Sequence, residues 1–264
     1  MDKTLQPSFY IPHGGGPCFF MDDPKGHWTG MEHFLRQLPD RLPQPPKAIL
    51  VVSAHWETEG FAFTSSARPG LLFDYYGFPK HTYELRYDAP GSPELAARAV
   101  ALLQGAGLEA GTDAERGLDH GVFVPLKVAF PEADIPVVEM SLDRSLDPSL
   151  HLAAGAALAP LREQGVLLLG SGMSFHNMRA YGDPRFTPLS QTFDQWLAAA
   201  AQLPPGERGR MLESWHEAPG GRAAHPREEH FIPLMVAAGA SAGHGERIYS
   251  ELVLETAISG FCFV

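Results

Sequence analysis

The stretch Ala48-Ile49-Leu50-Val51-Val52-Ser53-Ala54-His55-Trp56-Glu57 decides which fold the sequence predicts. Its apolar run, residues 49–52, is too short for a helix and follows a pair of prolines, which is typical of a strand buried on both faces of a parallel sheet. The small residues Ser53 and Ala54 predict that the strand stops before His55. Ligands of open α/β sheets bind outside the carboxyl ends of the strands, so His55 is a candidate functional residue. A single histidine after a strand is more often an ordinary loop residue. A functional role for His55 is therefore indicated only if the same pattern occurs elsewhere in the chain.

Two further apolar runs are followed by a histidine in the same way. Residues 7–12 lead into His13 and three consecutive glycines, and residues 165–172 lead to His176. The glycines could also belong to a phosphate-binding loop, but the sequence has neither the Lys-Ser/Thr pair of a P-loop nor the spacing of a dinucleotide fingerprint. We therefore favour a histidine at a strand end, with room beside it for a metal and a substrate.

The rest of the chain alternates between strand and helix patterns. Further strands are expected at residues 61–65, 135–140, 246–254 and 258–263, and helices at residues 30–38, 92–103, 150–161, 187–203 and in the Ala-rich segment that ends at residue 240. We found no internal repeat and no dividing linker. The sequence therefore predicts one domain over residues 1–264, an α/β fold whose central, largely parallel sheet is flanked by helices and carries the active site at the carboxyl ends of its strands.

Composition excludes several classes of protein. The formal net charge is −11 and Lys and Arg do not cluster, which argues against a nucleic-acid partner. No apolar run reaches membrane length, and residues 1–7 lack the apolar centre of a signal peptide. Two cysteines, Cys18 and Cys262, do not make a disulfide framework. We expect a cytoplasmic protein with neither a membrane nor a nucleic acid as partner; its oligomeric state cannot be predicted.

Histidine is the compositional anomaly, with 12 residues in the chain. His120 lies in a glycine-bounded turn beside Asp119, a residue that could orient an imidazole, and His230 precedes a helix. Imidazoles that converge from distant positions suit a mononuclear metal site with open positions. The alternative is a set of hydrogen-bonded loop histidines without a ligand. His33 is predicted to face solvent and His151 to be structural.

The aromatic loop at residues 74–83 allows two interpretations. Tyr75, Tyr76 and Phe78 could form a wall of a pocket for an aromatic ring, or they could pack onto the core. His81 in the same loop is a further candidate for substrate binding. The sequence does not decide between these interpretations.

Together, several motifs resemble the class III extradiol ring-cleavage dioxygenases, and most closely their single-chain branch, which is similar to DOPA 4,5-dioxygenase. The motifs run in order from His13 to about residue 238: Ser53-Ala54-His55-Trp56, Gly77-Phe78-Pro79, Leu118-Asp119-His120-Gly121, Gly170-Ser171-Gly172 with His176-Asn177, and His230-Phe231-Ile232-Pro233-Leu234. They are specific for the family and less so for the substrate.

The resemblance implies one divalent metal per chain, bound by His13, His55 and His230. His176 would act as acid and base, and in this branch it is sometimes counted as a metal ligand. His120 would be a second catalytic polar group near the substrate or O2. Fe(II) is expected for catalysis. The wider class uses two histidines and a carboxylate, and the third position here matches a histidine, so Zn(II) is plausible in the protein as isolated.

The resemblance also implies the substrates, a small aromatic diol and O2. A catechol that binds a metal through both oxygens requires protein ligands that leave one face of the metal open. Ring opening needs a proton acceptor and donor, and an imidazole serves both roles near neutral pH. Two alternatives remain: a zinc-dependent hydrolase in which His176 or Glu229 activates water, and a metal-binding protein without turnover. The resemblance therefore implies an extradiol dioxygenase acting on a DOPA-like catechol.

Overall fold

A mixed sheet organises the part of the chain that the computed structural model describes, residues 5–264. Residues 1–4, which begin the segment searched for a signal peptide, lie outside the described residues. The sheet has eight strands in the order β4-β3-β5-β2-β6-β1-β8-β7. Their bounds are β1 Ser8–Pro12, β2 Ala48–Thr58, β3 Phe61–Thr64, β4 Ala110–Asp113, β5 Val137–Asp143, β6 Val166–Gly172, β7 Gly245–Val253 and β8 Thr256–Phe263.

The centre of the sheet is parallel. Strand β2 pairs in parallel with both β5 and β6, and β6 pairs in parallel with β1. Antiparallel pairs occur toward the edges, between β1 and β8, between β7 and β8, and between β3 and β5. Because the four central strands run the same way, the residues that follow them meet at one edge of the sheet. The predicted α/β fold with a largely parallel sheet is confirmed.

The helices pack against the sheet and against one another. Helix α1 contacts α3, and α4 contacts α2, α6 and α8, with α5 packed on α6, α7 and the β7–β8 hairpin. Their bounds are α1 Thr29–Arg36, α2 Pro93–Gly105, α3 His120–Ala129, α4 Pro148–Leu158, α5 Thr187–Gln202, α6 Pro205–Glu213, α7 Gly221–Ala224 and α8 Pro233–Gly239. In residues 5–264, none of these helices has the length and apolar character needed to cross a bilayer.

The sequence predicted an element correctly where its local capping or apolar pattern is strong. The Ser92 side chain accepts a hydrogen bond from the backbone N–H of Leu95 at 3.1 Å, which caps α2 where the Ser-Pro pair predicts a helix start. The helix predicted at residues 150–161 is shorter, because α4 ends at Leu158 and a 3-10 turn follows. Strand β4 and helices α6 and α7 were not predicted, since β4 is short and polar and α6 has few apolar residues.

The prediction that strand β2 ends before His55 is wrong. The strand continues to Thr58, and its pairing with β5 shifts register between Val52 and Glu57. Such an irregularity is a common way to redirect side chains beside a site. His55 is therefore held by strand pairing on both sides of the irregularity rather than by a loop.

The turn predicted around His120 is also different in the structure, where His120 is the first residue of α3. The local sequence does not favour a helix here, because it contains three valines and Pro125. Tertiary burial overrides these weak propensities, since nine of the ten α3 residues are buried. The helix start fixes the backbone position of His120.

Candidate metal centre

Three of the predicted ligands meet at the carboxyl edge of the sheet. His13 directly follows β1, His55 lies in β2, and His230 lies in the turn before α8. One ring nitrogen from each can be chosen so that all three lie within 4.8 Å of one another. The Nε2 atoms of His13 and His55 are 3.2 Å apart. The structure thus brings these imidazoles together from positions more than 200 residues apart in sequence.

Backbone contacts determine where His13 and His230 lie. The His13 N–H donates to the Gly172 carbonyl at 3.1 Å, and the Met173 N–H donates to the His230 carbonyl at 3.1 Å. The Tyr10 hydroxyl also donates to the His230 carbonyl, at 2.7 Å. Both histidines are therefore anchored to the end of β6 and its neighbour β1.

Glycine in β6 permits this close approach. A Cβ added at Gly172 would collide with the His230 carbonyl oxygen, and one at Gly170 would collide with the Pro233 carbonyl oxygen. The Gly170-Ser171-Gly172 motif therefore lets the His230 turn lie directly on the strand.

We predict that Gly172→Ala displaces the His230 turn. The added methyl group has no free volume against a backbone oxygen, so we expect the free energy of unfolding to fall by about 1–3 kcal/mol and metal affinity to fall with it. Urea unfolding and a zinc titration measure the two effects. Gly111→Ala in β4 is the matched control, because a Cβ there meets no atom within 4 Å. Equal stability and affinity in the Gly172 variant would contradict the role given to this glycine.

The hydrogen bonds of the Nδ1 atoms orient the rings. Ser171 Oγ donates to the Gly121 carbonyl, so it accepts the Nδ1–H of His13 at 3.1 Å. His230 Nδ1 lies 3.0 Å from Oε1 of Glu229. With the proton on Nδ1, the lone pair of each ring is on Nε2. The lone pair of His13 thus faces the Nε2 of His55, an arrangement that a shared cation would satisfy.

The electrostatics keep these rings neutral. Burial, reinforced by the neighbouring imidazoles, lowers the pKa of His13 and His230 well below the ordinary histidine value. Burial and His120 also lower the pKa of His55, to about 4, despite the opposing charges of Asp119 and Asp74. Neutral imidazoles with free lone pairs are the form that binds metals. The donor set and its hydrogen-bonded supports therefore fit a divalent cation.

His120 lies beside this cluster and is held by Asp74. Its Nδ1 is 2.7 Å and its backbone N–H 3.1 Å from Oδ1 of Asp74. Its ring centroid is 4.0 Å from that of His55 and 5.6 Å from that of His13. Although burial alone would raise it, the pKa of Asp74 is below its ordinary value because His120 donates hydrogen bonds to its carboxylate. The structure therefore places an ionised carboxylate behind His120.

His176 lies on the other side of the cluster. Its ring stacks on that of His230 with centroids 3.5 Å apart and an interplanar angle of 17°. It lines a cavity of about 440 Å³ together with residues of its own loop and of the loop before His230: Asn177, Met178, Arg179, Pro226, Arg227 and Glu229. This volume is in the usual range for small-molecule pockets. His176 thus lies between the imidazole cluster and an open cavity.

Asp119 does not orient an imidazole, contrary to the possibility raised from the sequence. Its carboxylate accepts a hydrogen bond from the Ser53 hydroxyl at 2.7 Å and pairs with Arg116 at 3.0 Å. Its backbone N–H donates to the fully buried Glu139 at 3.0 Å. Burial and the nearby Asp119 raise the pKa of Glu139 well above its ordinary value. This network supports the turn that leads into His120.

The aromatic loop divides between the buried core and the surface. Tyr75 is buried and meets the His120 ring edge-on at 5.7 Å, whereas Tyr76 is 91% exposed. Phe78 packs on Gly16, where an added Cβ would lie 2.9 Å from its ring. His81 is exposed and its Nε2 bonds to the Phe20 carbonyl at 3.0 Å, so the structure does not join it to the cluster.

Two other histidines have structural surroundings. His151 is buried in α4 and accepts a hydrogen bond from the Asp143 N–H at 3.1 Å. His225 is fully buried among aromatic rings, bonds to the Ser174 carbonyl at 3.0 Å, and has no partner at Nδ1. His33 is exposed on α1, as predicted.

We predict that acid destabilises the metal-free protein partly through His225. Burial lowers the pKa of His225 to about 3, so between about pH 6.5 and pH 3 the unfolded chain binds a proton that the folded chain does not. The free energy of unfolding therefore falls as the pH falls, by about 2 kcal/mol from this residue between pH 7 and pH 5. Urea unfolding at both pH values measures it. His225→Gln, whose amide can still donate to Ser174, should show a smaller loss; an equal loss would exclude His225 as the source.

The sequence did not predict a supporting role for Asp74 or Ser171, and it predicted Glu229 only as a possible activator of water in the hydrolase alternative. Asp74 opens the aromatic loop, Ser171 lies between two glycines, and Glu229 directly precedes His230. A polar residue inside the apolar β6 run was a signal for Ser171, because a buried hydroxyl needs hydrogen-bond partners. No comparable signal in the sequence identifies Asp74.

Comparison with known proteins agrees with this geometry. Residues 7–261 match the family described as the catalytic LigB subunit of aromatic ring-opening dioxygenase. A 4,5-DOPA dioxygenase extradiol from Beta vulgaris is 40% identical, over 96% of this chain and 92% of the relative. The protein of the same name from Escherichia coli K12 is 35% identical, over 92% and 88%. The dioxygenase tasH of Hapsidospora irregularis is 39% identical, over 90% and 78%.

The fold has a counterpart among solved structures. The crystal structure of an uncharacterized protein from Escherichia coli K12 superimposes with a TM-score of 0.79 at 29% identity, covering 98% of this chain and all of the other. Enzymes of the matched family are metal-dependent and act on an aromatic substrate with O2. The histidine cluster could bind such a metal. The chain therefore belongs to the LigB family of aromatic ring-opening dioxygenases and is a ring-cleaving oxidoreductase.

Proposed function

We propose that this protein is an extradiol dioxygenase that opens the ring of a DOPA-like catechol with O2, using one divalent metal held by His13, His55 and His230. The observation that carries the proposal is the convergence of three neutral imidazoles, with ring nitrogens within 4.8 Å of one another, beside the cavity that His176 lines. The names of the relatives from Beta vulgaris and Escherichia coli support DOPA as the type of substrate.

We propose Fe(II) as the catalytic metal. A bound Fe(II) would polarise the diol and bring it together with O2, and the diol itself would supply the electrons that reduce O2. Three neutral imidazoles also suit Zn(II), so zinc is the metal that we expect to compete for the site during isolation. With three protein ligands, the metal would keep open positions for the substrate.

His176 is the proposed acid and base. Its Nδ1 faces Glu229 at 3.3 Å, so Nε2 is the nitrogen left to exchange a proton with the diol or the opened ring. Its position on the cavity wall gives it access to a molecule bound there. A role as an additional metal ligand would require the same Nε2 and is the alternative that the metal titrations below distinguish.

His120 is the second proposed catalytic group. Because its Nδ1–H donates to the ionised Asp74, its Nε2 is available as an acceptor toward the substrate or O2. Tyr75 packs edge-on against this ring. We propose that His120 orients the diol while His176 moves the proton.

Anaerobic reconstitution with Fe(II), followed by a catechol such as DOPA in an oxygen electrode, tests the proposal. We expect oxygen uptake matched by a new yellow chromophore from the ring-opened product. Full iron occupancy without oxygen uptake across several catechols would contradict it, and activity without oxygen would favour the zinc-dependent hydrolase. A cytoplasmic location and the lack of a nucleic-acid partner remain predictions from composition.

A further inference from the structure

Glu229 contacts two of the site histidines through a single oxygen atom. Its Oε1 lies 3.0 Å from Nδ1 of His230 and 3.3 Å from Nδ1 of His176. The two rings stack face to face at 3.5 Å. One carboxylate oxygen therefore lies next to the same nitrogen of both rings.

Neighbouring charges keep this carboxylate in place. Arg227 makes two contacts of 2.6 Å with the carboxylate of Glu57, at the end of β2, and its Nη1 lies 3.4 Å from Oε2 of Glu229. Oε2 is buried and makes no hydrogen bond. The other oxygen, Oε1, is the one that lies within 3.3 Å of the Nδ1 atom of each ring.

We propose that Glu229 is a positioning residue that fixes His230 and His176 in the same tautomer, with Nδ1–H directed at Oε1 and Nε2 free on both rings. A carboxylate has no proton to donate at neutral pH, so each Nδ1 beside it must be the donor. The free Nε2 of His230 then serves as the metal ligand, and the free Nε2 of His176 serves proton transfer. Glu229 thereby prepares one ring to bind the metal and the other to exchange a proton.

This inference rests on the roles proposed above for His230 and His176, but its main test does not use activity. Long-range proton–nitrogen NMR of the protein labelled with ¹⁵N-histidine reports which ring nitrogen carries the proton. In the metal-free wild-type chain we expect the Nδ1–H form at both residues. In the zinc-loaded chain we expect it at His176. Signals are assigned from the His176→Gln and His230→Gln spectra.

Glu229→Ala removes the acceptor. We expect His176 to lose its preference for Nδ1–H and the zinc dissociation constant to rise about 10- to 100-fold, the usual effect of losing a group that orients a ligand. Glu228→Ala is the matched control: it removes the same charge one residue earlier, where Glu228 pairs with the exposed Arg222 at 2.8 Å. The control should keep wild-type tautomers and affinity.

The outcomes separate the proposals from each other. An Nε2–H form at His176 or His230 in the metal-free wild type would overturn the positioning role, even if Glu229→Ala failed to fold. So would unchanged tautomers in Glu229→Ala, or equal changes in Glu228→Ala. The expected tautomers in a protein that takes up no oxygen with any catechol would support Glu229 and contradict the proposed reaction instead.

Discussion

Replacing His55 by alanine is expected to abolish stoichiometric metal binding and, with it, ring opening. His55 supplies one of three imidazoles whose ring nitrogens lie within 4.8 Å of one another, and a site left with two neutral ligands lacks the three protein donors that hold a catalytic metal. His13→Ala and His230→Ala are expected to give the same result. Metal content after dialysis, measured by atomic absorption, and oxygen uptake with a catechol are the two readouts.

His33→Ala is the matched control for these ligand variants. It removes an exposed imidazole on α1 that makes no contact with the cluster. We expect full metal content and full activity in this protein. Retention of one metal per chain in any of the three ligand variants would remove that histidine from the proposed ligand set.

The second large effect is expected for His176→Ala, which should keep most of the metal and lose ring opening. His176 stacks on His230, and its Nδ1 lies 3.3 Å from Oε1 of Glu229, so its Nε2 is available for proton transfer and is not needed to complete the three-histidine cluster. Loss of a general acid–base group typically lowers turnover by about 10²–10⁴-fold. Zinc or iron titration and the rate of chromophore formation measure the two properties separately.

His216→Ala controls for the removal of a partly exposed histidine at a distance from the site. It should be indistinguishable from the wild type in both assays. Normal turnover in His176→Ala would end the acid–base assignment. Loss of the metal together with turnover would instead make His176 a ligand, which is the other role that the family resemblance allows.

The strength of local signals explains which predictions succeeded. The β6 run, residues 166–169, is uniformly apolar, and a short run of this kind can be satisfied only by burial on both faces of a strand. The Ser-Pro start of α2 is a direct capping signal. By contrast, α3 contains Pro125 and β-branched residues, and it forms because nearly all of its side chains are buried. The free energy gained by this burial comes from contacts with residues far away in sequence.

The sequence by itself determined the fold class, the family and the set of histidines, because apolar runs and motif residues are local properties of the chain. Only the tertiary structure decided how close those histidines lie, which partners they bond to and how far their pKa values are lowered. His55 lies in the irregular part of β2 with its Nε2 3.2 Å from that of His13, Asp74 contacts His120 from a loop 46 residues earlier, and Ser171 accepts the Nδ1–H of His13 across 158 residues. Distances, tautomers and lowered pKa values are set by burial and by contacts between distant segments. No local pattern encodes them.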